Sequence, residues 1–407
     1  MVKDTTIPAG YKQTDVGVIP VEWEVDKIKN ITSITTGAKN TQDKIDDGEY
    51  PFYVRSSIIE RINSYSFDGE AVLTAGDGVG TGKVIHYING KFDFHQRVYK
   101  ISDFSEKIDG YFFYLFFSNY FLKRIMSMTA KSSVDSVRME MIAEMPIPLP
   151  PLPEQQAIAS ALSDVDALIT ALERLITKKR NIKQGAMQQL LTGKKRLPGF
   201  GGEWEVINIA ENSALKARIG WQGLTTAEYL KNGEYYLVTG TDFVDGKINW
   251  NGCHFVDKNR YAQDKNIQLR NDDVLITKDG TIGKVGYVDN LPGKATLNSG
   301  VFVIRPRDKS YYPLFFYYVL KSSIFDSFMK QLKAGSTISH LYQKDFVNFS
   351  FSAPSHDEQQ AIAQILSDMD TEIDGLEQKR DKYKAIKQGM MQELLTGKTR
   401  LVKEDKA

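Results

Sequence analysis

A single cysteine, Cys253, occurs in this chain. An internal disulfide and any multi-cysteine zinc site are thereby excluded. Histidine is scarce as well: His86, His95, His254, His340 and His356 are scattered without metal-ligand spacing, so no metal is implied. No apolar run reaches the length of a membrane span, and the opening MVKDTTIPAGYKQTD lacks the apolar core of a secretory signal. The expectation is a cytoplasmic protein with no membrane partner. Charge of one sign is also missing, since 52 basic and 51 acidic residues leave a formal net charge of +1. Bulk electrostatics therefore nominate no nucleic-acid binder, and the case must come from organisation.

What the chain does have is ordinary globular material, 42% hydrophobic and 11% aromatic over 407 residues. That length favours two or three separate cores. It also has an internal repeat. Residues 154–197 align without a gap to residues 358–401 at an offset of 204, with 27 of 44 positions identical. Weaker echoes precede each copy. GEWEV at 202–206 answers VEWEV at 21–25, VLITKDGTIGKV from Val274 answers VLTAGDGVGTGKV from Val72, and Phe315-Phe316-Tyr317 answers Phe112-Phe113-Tyr114. The order is globe, helix, globe, helix.

Each repeated segment carries apolar residues at spacings of four and three. These are Ile158, Leu162, Val165, Ile169, Leu172 and Ile176 in the first copy, and Ile362, Leu366, Met369, Ile373 and Leu376 in the second. Such spacing predicts coiled-coil helices over about residues 154–192 and 356–396. Five prolines in residues 146–153 form an extended, polyproline-like entry to the first helix. Gly193 and Gly397 supply the stops. The globes, roughly 20–145 and 203–352, mix β-branched runs with Asp-Gly and Asn-Gly turns and one aromatic helix each, which reads as α+β. The expected divisions are 1–150, 151–197, 198–354 and 355–407.

The doubled signature is specific. Glu154-Gln155-Gln156-Ala157-Ile158-Ala159, Lys183-Gln184-Gly185 and Leu190-Leu191-Thr192-Gly193 recur from Glu358 to Gly397, behind the lead-in GYKQTDVGVIPVEWEV. Over nearly its whole length the chain resembles the specificity subunits of Type I restriction-modification enzymes. The resemblance implies two target-recognition domains, each reading one half of a split double-stranded DNA site. It implies two helices paired as an antiparallel coiled coil that docks two modification (methyltransferase) subunits, with restriction (translocase-nuclease) subunits completing the assembly. S-adenosylmethionine, ATP and magnesium then belong to the partners, and this chain holds no cofactor. One local departure is PLPPLPEQQ before the first helix against SAPSHDEQQ before the second.

Motifs that carry chemistry elsewhere fail here. The run Gly76–Lys83 lacks the glycine and hydroxyl positions of a Walker A loop, and Lys278–Lys284 fails in the same way. A tight turn with a phosphate-contacting lysine, Lys83 or Lys284, is the preferred reading. No methyltransferase tetrapeptide or helicase phosphate loop occurs, so the chain is expected to be non-catalytic; a freestanding nuclease or methyltransferase is the enzyme alternative. The aromatic helices read as core.

Base readers are sought among polar residues on irregular segments. In the first globe these are Arg55, Ser56, His95, Gln96, Arg97, Lys131, Ser132 and Ser133; in the second, Lys216, Arg218, Gln222, Asn298, Ser299, Ser336, Thr337 and His340. Seven basic residues and no acidic one lie between Lys178 and Arg196, facing either water or an acidic or nucleic-acid partner. A duplicated coiled-coil scaffold that binds protein without DNA specificity is the competing reading.

Overall fold

The computed structural model describes residues 7–128, 136–334 and 340–401. The chain divides into two compact units, residues 1–173 with 378–407, and residues 174–377. Each unit holds one globe, the first half of its own long helix and the second half of the other. Each long helix thus contributes to both units.

In the first unit six strands form one sheet: β1 (Ser33–Thr36), β2 (Tyr50–Tyr53), β3 (Ile59–Ile62), β4 (Phe67–Ala75), β5 (Ile85–Phe94) and β6 (Val98–Ser102), in the order β1-β6-β4-β5-β2-β3. The pairings are antiparallel except for β2 with β5, where Tyr53 lies opposite Phe94. Helix α1 (Gly110–Ser127) is capped by Asp109, whose carboxylate accepts the Phe112 N–H at 2.8 Å. Phe112, Phe113, Phe117 and Phe121 are fully buried, the core role expected of them.

The proline run does more than deliver the chain. Pro146–Leu149 is a strand paired antiparallel with Glu24–Lys27, so the end of the globe is tied to its beginning. Prolines at alternate positions put their missing N–H groups along one edge, which a two-stranded pair leaves unused, while Ile147 and Leu149 are buried. Pro153 sits in the first turn of helix α2 (Leu152–Leu190), where its N–H would have no intrahelical partner.

The second unit repeats the plan with more strands. Strands β7 (Ser213–Ala217), β8 (Tyr235–Val238), β9 (Phe243–Val244), β10 (Lys247–Ile248), β11 (His254–Val256), β12 (Val274–Thr277), β13 (Val285–Tyr287), β14 (Lys294–Leu297) and β15 (Val301–Pro306) form two sheets. Their orders are β7-β15-β12-β13-β10-β9 and β11-β8-β14. The expected single aromatic helix is two, α3 (Pro313–Leu320) and α4 (Ser323–Ala334). The break falls at Ser322, whose hydroxyl donates back to the Val319 carbonyl at 2.7 Å. Glu205–Asn208 pairs with Ser350–Ala353 before helix α5 (His356–Leu394), as the first unit's pair does before α2.

Only part of the apolar stripe is a helix-to-helix seam. Ile158, Ala159 and Leu162 of α2, with Met391, Leu394 and Leu395, join the core built around α1. Met187, Leu190, Leu191, Ile362, Ala363 and Leu366 join the core around α3 in the second unit. The helix ends are therefore wedged into the globes, and a stripe spaced like a seam serves two kinds of contact.

Several basic residues of the helix ends pair with acidic residues of the other helix. In the second unit Arg180 pairs with Glu377 at 2.5 Å, Lys179 with Glu372 at 2.6 Å, and Lys183 with Asp370. In the first, Lys384 pairs with Glu173 and Lys387 with Asp166, both at 2.7 Å. Glu154 and Glu358 are fully buried. Arg400 grips Glu154 through Nε at 2.6 Å and Nη2 at 2.8 Å, and Arg196 grips Glu358 at 2.8 and 2.5 Å. Antiparallel order follows from these pairings. Subtracting the repeat offset of 204 turns Arg400–Glu154 into the counterpart of Arg196–Glu358, and Lys387–Asp166 into that of Lys183–Asp370.

Candidate nucleic-acid interface

In the first unit three irregular segments meet at the ends of β2, β4 and β5. The turn after β5 begins with His95, whose N–H donates to the Tyr53 carbonyl at 2.9 Å. Its Nδ1 accepts the Arg97 N–H, also at 2.9 Å. The segment after β2 supplies Arg55 and Ser56, and the Ser56 hydroxyl turns inward to the Ile58 carbonyl at 3.2 Å. The Gly76–Lys83 loop supplies Asp77. Arg55 Nη1 lies 3.0 Å from one oxygen of Asp77 and Arg97 Nε 3.8 Å from the other. Gln96 reaches the Asn40 side chain at 2.6 Å.

Arg55, Gln96 and Arg97 are exposed at this corner, but His95 is not, with only 4% of its surface accessible. That corrects its choice as a surface reader: it is a buried strut. Burial first, then the nearby Arg55 cation, depresses its pKa below the usual histidine value, so the ring is neutral at pH 7 and can accept from Arg97.

The glycine-rich loop is a turn. Gly78 and Gly82 adopt φ of +81° and +67°, and the Thr81 hydroxyl closes the loop on the Gly78 carbonyl at 2.6 Å. Lys83 is exposed at its exit. In the second unit Gly280 and Gly283 do the same at +67° and +84°, with Thr277 donating to the Thr281 carbonyl at 2.5 Å and Lys284 exposed.

The two corners correspond residue by residue. The Asn298 N–H donates to the Val238 carbonyl as that of His95 does to Tyr53; Lys278 bonds to Gly300 as Gly76 does to Arg97; and Leu341 bonds to Lys278 as Val137 does to Gly76. In this frame His95 corresponds to Asn298, Gln96 to Ser299, Asp77 to Asp279, Arg55 to Gly240 and Arg97 to Gly300. Asp279 is paired with the His340 ring, and Asn298 is held by the Tyr229 hydroxyl at 2.8 Å. A hollow of about 300 Å³ opens among Gly240, Thr241, Asp279, Lys284, Asn298 and Gly300.

So Lys284, Asn298, Ser299 and His340 are brought together, while three other choices are not. Arg218 is 1% exposed, its guanidinium spent on the Leu297 carbonyl at 2.9 Å and on Thr296 and Gln263. Burial, then the Arg260 charge, pulls its pKa down. It braces the end of β14 instead of presenting itself to a groove. Gln222 is 7% exposed, which removes it likewise. Lys216 is exposed on β7 but lines a separate hollow with Arg307 and Gln343. Lys131, Ser132, Ser133, Ser336 and Thr337 lie outside the described residues. Asp77, Asp279 and Tyr229 were missed by sequence reasoning; the Asp-Gly shared by both loops was the available signal. Among the described residues no group of three or more His, Cys, Asp or Glu side chains is placed to hold a metal, and no helix is long and apolar enough to cross a membrane.

The sequence profile described as "Type I restriction modification DNA specificity domain" matches residues 20–184 and again 203–385. The chain is 25% identical to the type I restriction enzyme MjaVIII specificity subunit of Methanocaldococcus jannaschii, covering 94% of each. It is 24% identical to the Escherichia coli EcoBI specificity subunit, over 74% of this chain and 67% of that one. Among solved structures, a Type I restriction-modification S subunit from M. genitalium superposes with a TM-score of 0.65 at 18% identity, covering 94% and 97% of the two chains.

Proposed function

The chain belongs to the Type I restriction-modification DNA specificity family, twice over, and from that premise we propose that it reads a bipartite, asymmetric DNA site with one globe per half-site. The observation that carries this reading is the repeat itself. Two globes share a frame and a loop but present different side chains at the corner, Arg55 and Arg97 against Gly240 and Gly300. Equal frames suit two sites on one duplex; unequal side chains suit different sequences there.

The chain is non-catalytic in this reading. Methyl transfer, translocation and cleavage fall to two modification subunits and to restriction subunits docked on it, and S-adenosylmethionine, ATP and magnesium act there. The expected arrangement is tested by exchanging residues 203–352 for the corresponding domain of another family member and sequencing methylated positions in a host that also expresses the methyltransferase. One half-site changes and the other persists. Alteration of both halves overturns the modular division. DNA binding by the partner-bound complex that is insensitive to salt, or absent, favours the protein-binding scaffold instead.

A further inference from the structure

The glycine-rich loop of the first unit is more closely fitted than a turn requires. A side chain at Gly80 would collide with the Arg55 carbonyl, and one at Gly76 would approach the Tyr99 ring at 2.9 Å and the Arg97 carbonyl at 3.0 Å. Gly76 also donates its N–H to that Arg97 carbonyl at 2.8 Å. The loop is therefore threaded between the two arginine-bearing turns, and its one carboxylate, Asp77, is delivered between two guanidiniums. Their side chains remain 45% and 65% exposed.

In the second unit the same frame is kept and both arginines are gone together. Gly240 and Gly300 stand at the two turn positions, Asp279 is retained, and a hollow of about 300 Å³ takes the place of the guanidiniums. Had the aspartate served only to stitch the loop, its pairing with both cations would have no reason to vary as a set.

We infer that the loop aspartate and these two turn positions are the specificity-determining set of each globe. Asp77 is a positioning residue that aims Arg55 and Arg97 at guanine in the first half-site, and Asp279 aims His340 beside an open hollow in the second. The chemistry is that of the guanidinium fork. With Arg55 donating to Asp77 at 3.0 Å and Arg97 ion-paired to it at 3.8 Å, the remaining N–H groups are left to donate to the O6 and N7 acceptors that guanine alone presents in the major groove. The carboxylate holds the forks in place before DNA arrives, so less side-chain freedom is lost on binding.

This inference rests on the DNA-reading function proposed above, and one experiment separates the two. The complete chain with its methyltransferase is expressed in a host and modified sites are sequenced for the wild type and for Asp77→Asn, Arg97→Gly and Gly300→Arg. The wild type is expected to modify a first half-site containing guanine. Asp77→Asn and Arg97→Gly each relax base discrimination at a guanine position of that half-site by about tenfold, leaving the second half-site untouched. Gly300→Arg, where a Cβ meets Asp279 atoms only at 3.6 and 3.7 Å, shifts the second half-site towards guanine. A first half-site without guanine, or variants that lower modification evenly without changing base preference, overturns the inference. Because Arg97 is exposed, Arg97→Gly keeps the test decisive even where Asp77→Asn lowers the melting temperature. A wild-type chain that directs no sequence-specific modification would instead sink the DNA-reading function itself.

Discussion

Single residues here act through what is buried beneath them. Lys83 and Lys284 are exposed beside tight glycine turns, and under the proposed DNA-reading function each is expected to contact a phosphate. Alanine at either is expected to weaken DNA binding equally on correct and incorrect sequences and to flatten the logarithmic salt dependence by about one unit. Titrating binding by the partner-bound complex against salt checks this, and an unchanged slope returns that loop to a purely structural role. Cys253 is the opposite case. Burial, with Asp242 nearby, pushes its thiol up to about 12, so at pH 8 the native protein should resist alkylation that the denatured chain accepts. Mass spectrometry after a brief alkylation pulse decides it. Glu144 gives a pH signature. Its hydrogen bonds to Lys27 and Lys29, at 2.6 and 2.5 Å, hold its pKa down to about 2. Because the folded value lies below the ordinary 4.5, its contribution is present above that pH and disappears as pH falls towards 2. Glu144→Gln should therefore flatten the acid limb of the melting-temperature profile in that window and change nothing in its shape near neutrality.

At the scale of elements, the long helices show how one spacing serves two duties. Leu162 is fully buried among Phe112, Ile158 and Leu394, whereas Leu168, on the same helix, is 36% exposed. Leu162→Ala should cost about 2–5 kcal/mol and Leu168→Ala less than about 0.5 kcal/mol, as measured by denaturant unfolding. Helix positions and the α+β character were legible in the sequence because periodicity and proline report local geometry directly. Which apolar residues face a helix and which face a globe was not, since both surfaces accept the same aliphatic side chains. The proline-rich entry illustrates the same limit: its extended backbone could be foreseen, its strand partner Glu24–Lys27 could not.

For the whole molecule, the repeat of ion pairs and core contacts predicts how half a chain behaves. The first unit receives Met391, Leu394, Leu395, Lys387 and Arg400 from the second helix and the segment just after it. Their counterparts in the first helix and its exit are Met187, Leu190, Leu191, Lys183 and Arg196, identical at every one of these positions. A fragment ending near Phe200 therefore carries both the receptor surface and its occupant, and two copies should satisfy each other about a twofold axis. Analytical ultracentrifugation is expected to find a dimer, and with methyltransferase that dimer should modify a palindrome built from the first half-site. A strictly monomeric fragment contradicts the equivalence.

The sequence by itself determined the duplication, the helices, the aromatic cores and the membership that follows from the doubled signature, because each is written in patterns local to the chain or repeated along it. It also determined Gly-Lys turns at the right places. The tertiary structure alone decided that Asp77 joins two arginines 42 residues apart in number, and that Gly240 and Gly300 stand where those arginines would be. It decided too that His95, Arg218 and Gln222 turn inward. The reason is physical: burial and pairing of a polar side chain depend on which distant strand ends converge, and residue type on an irregular segment carries no record of that convergence.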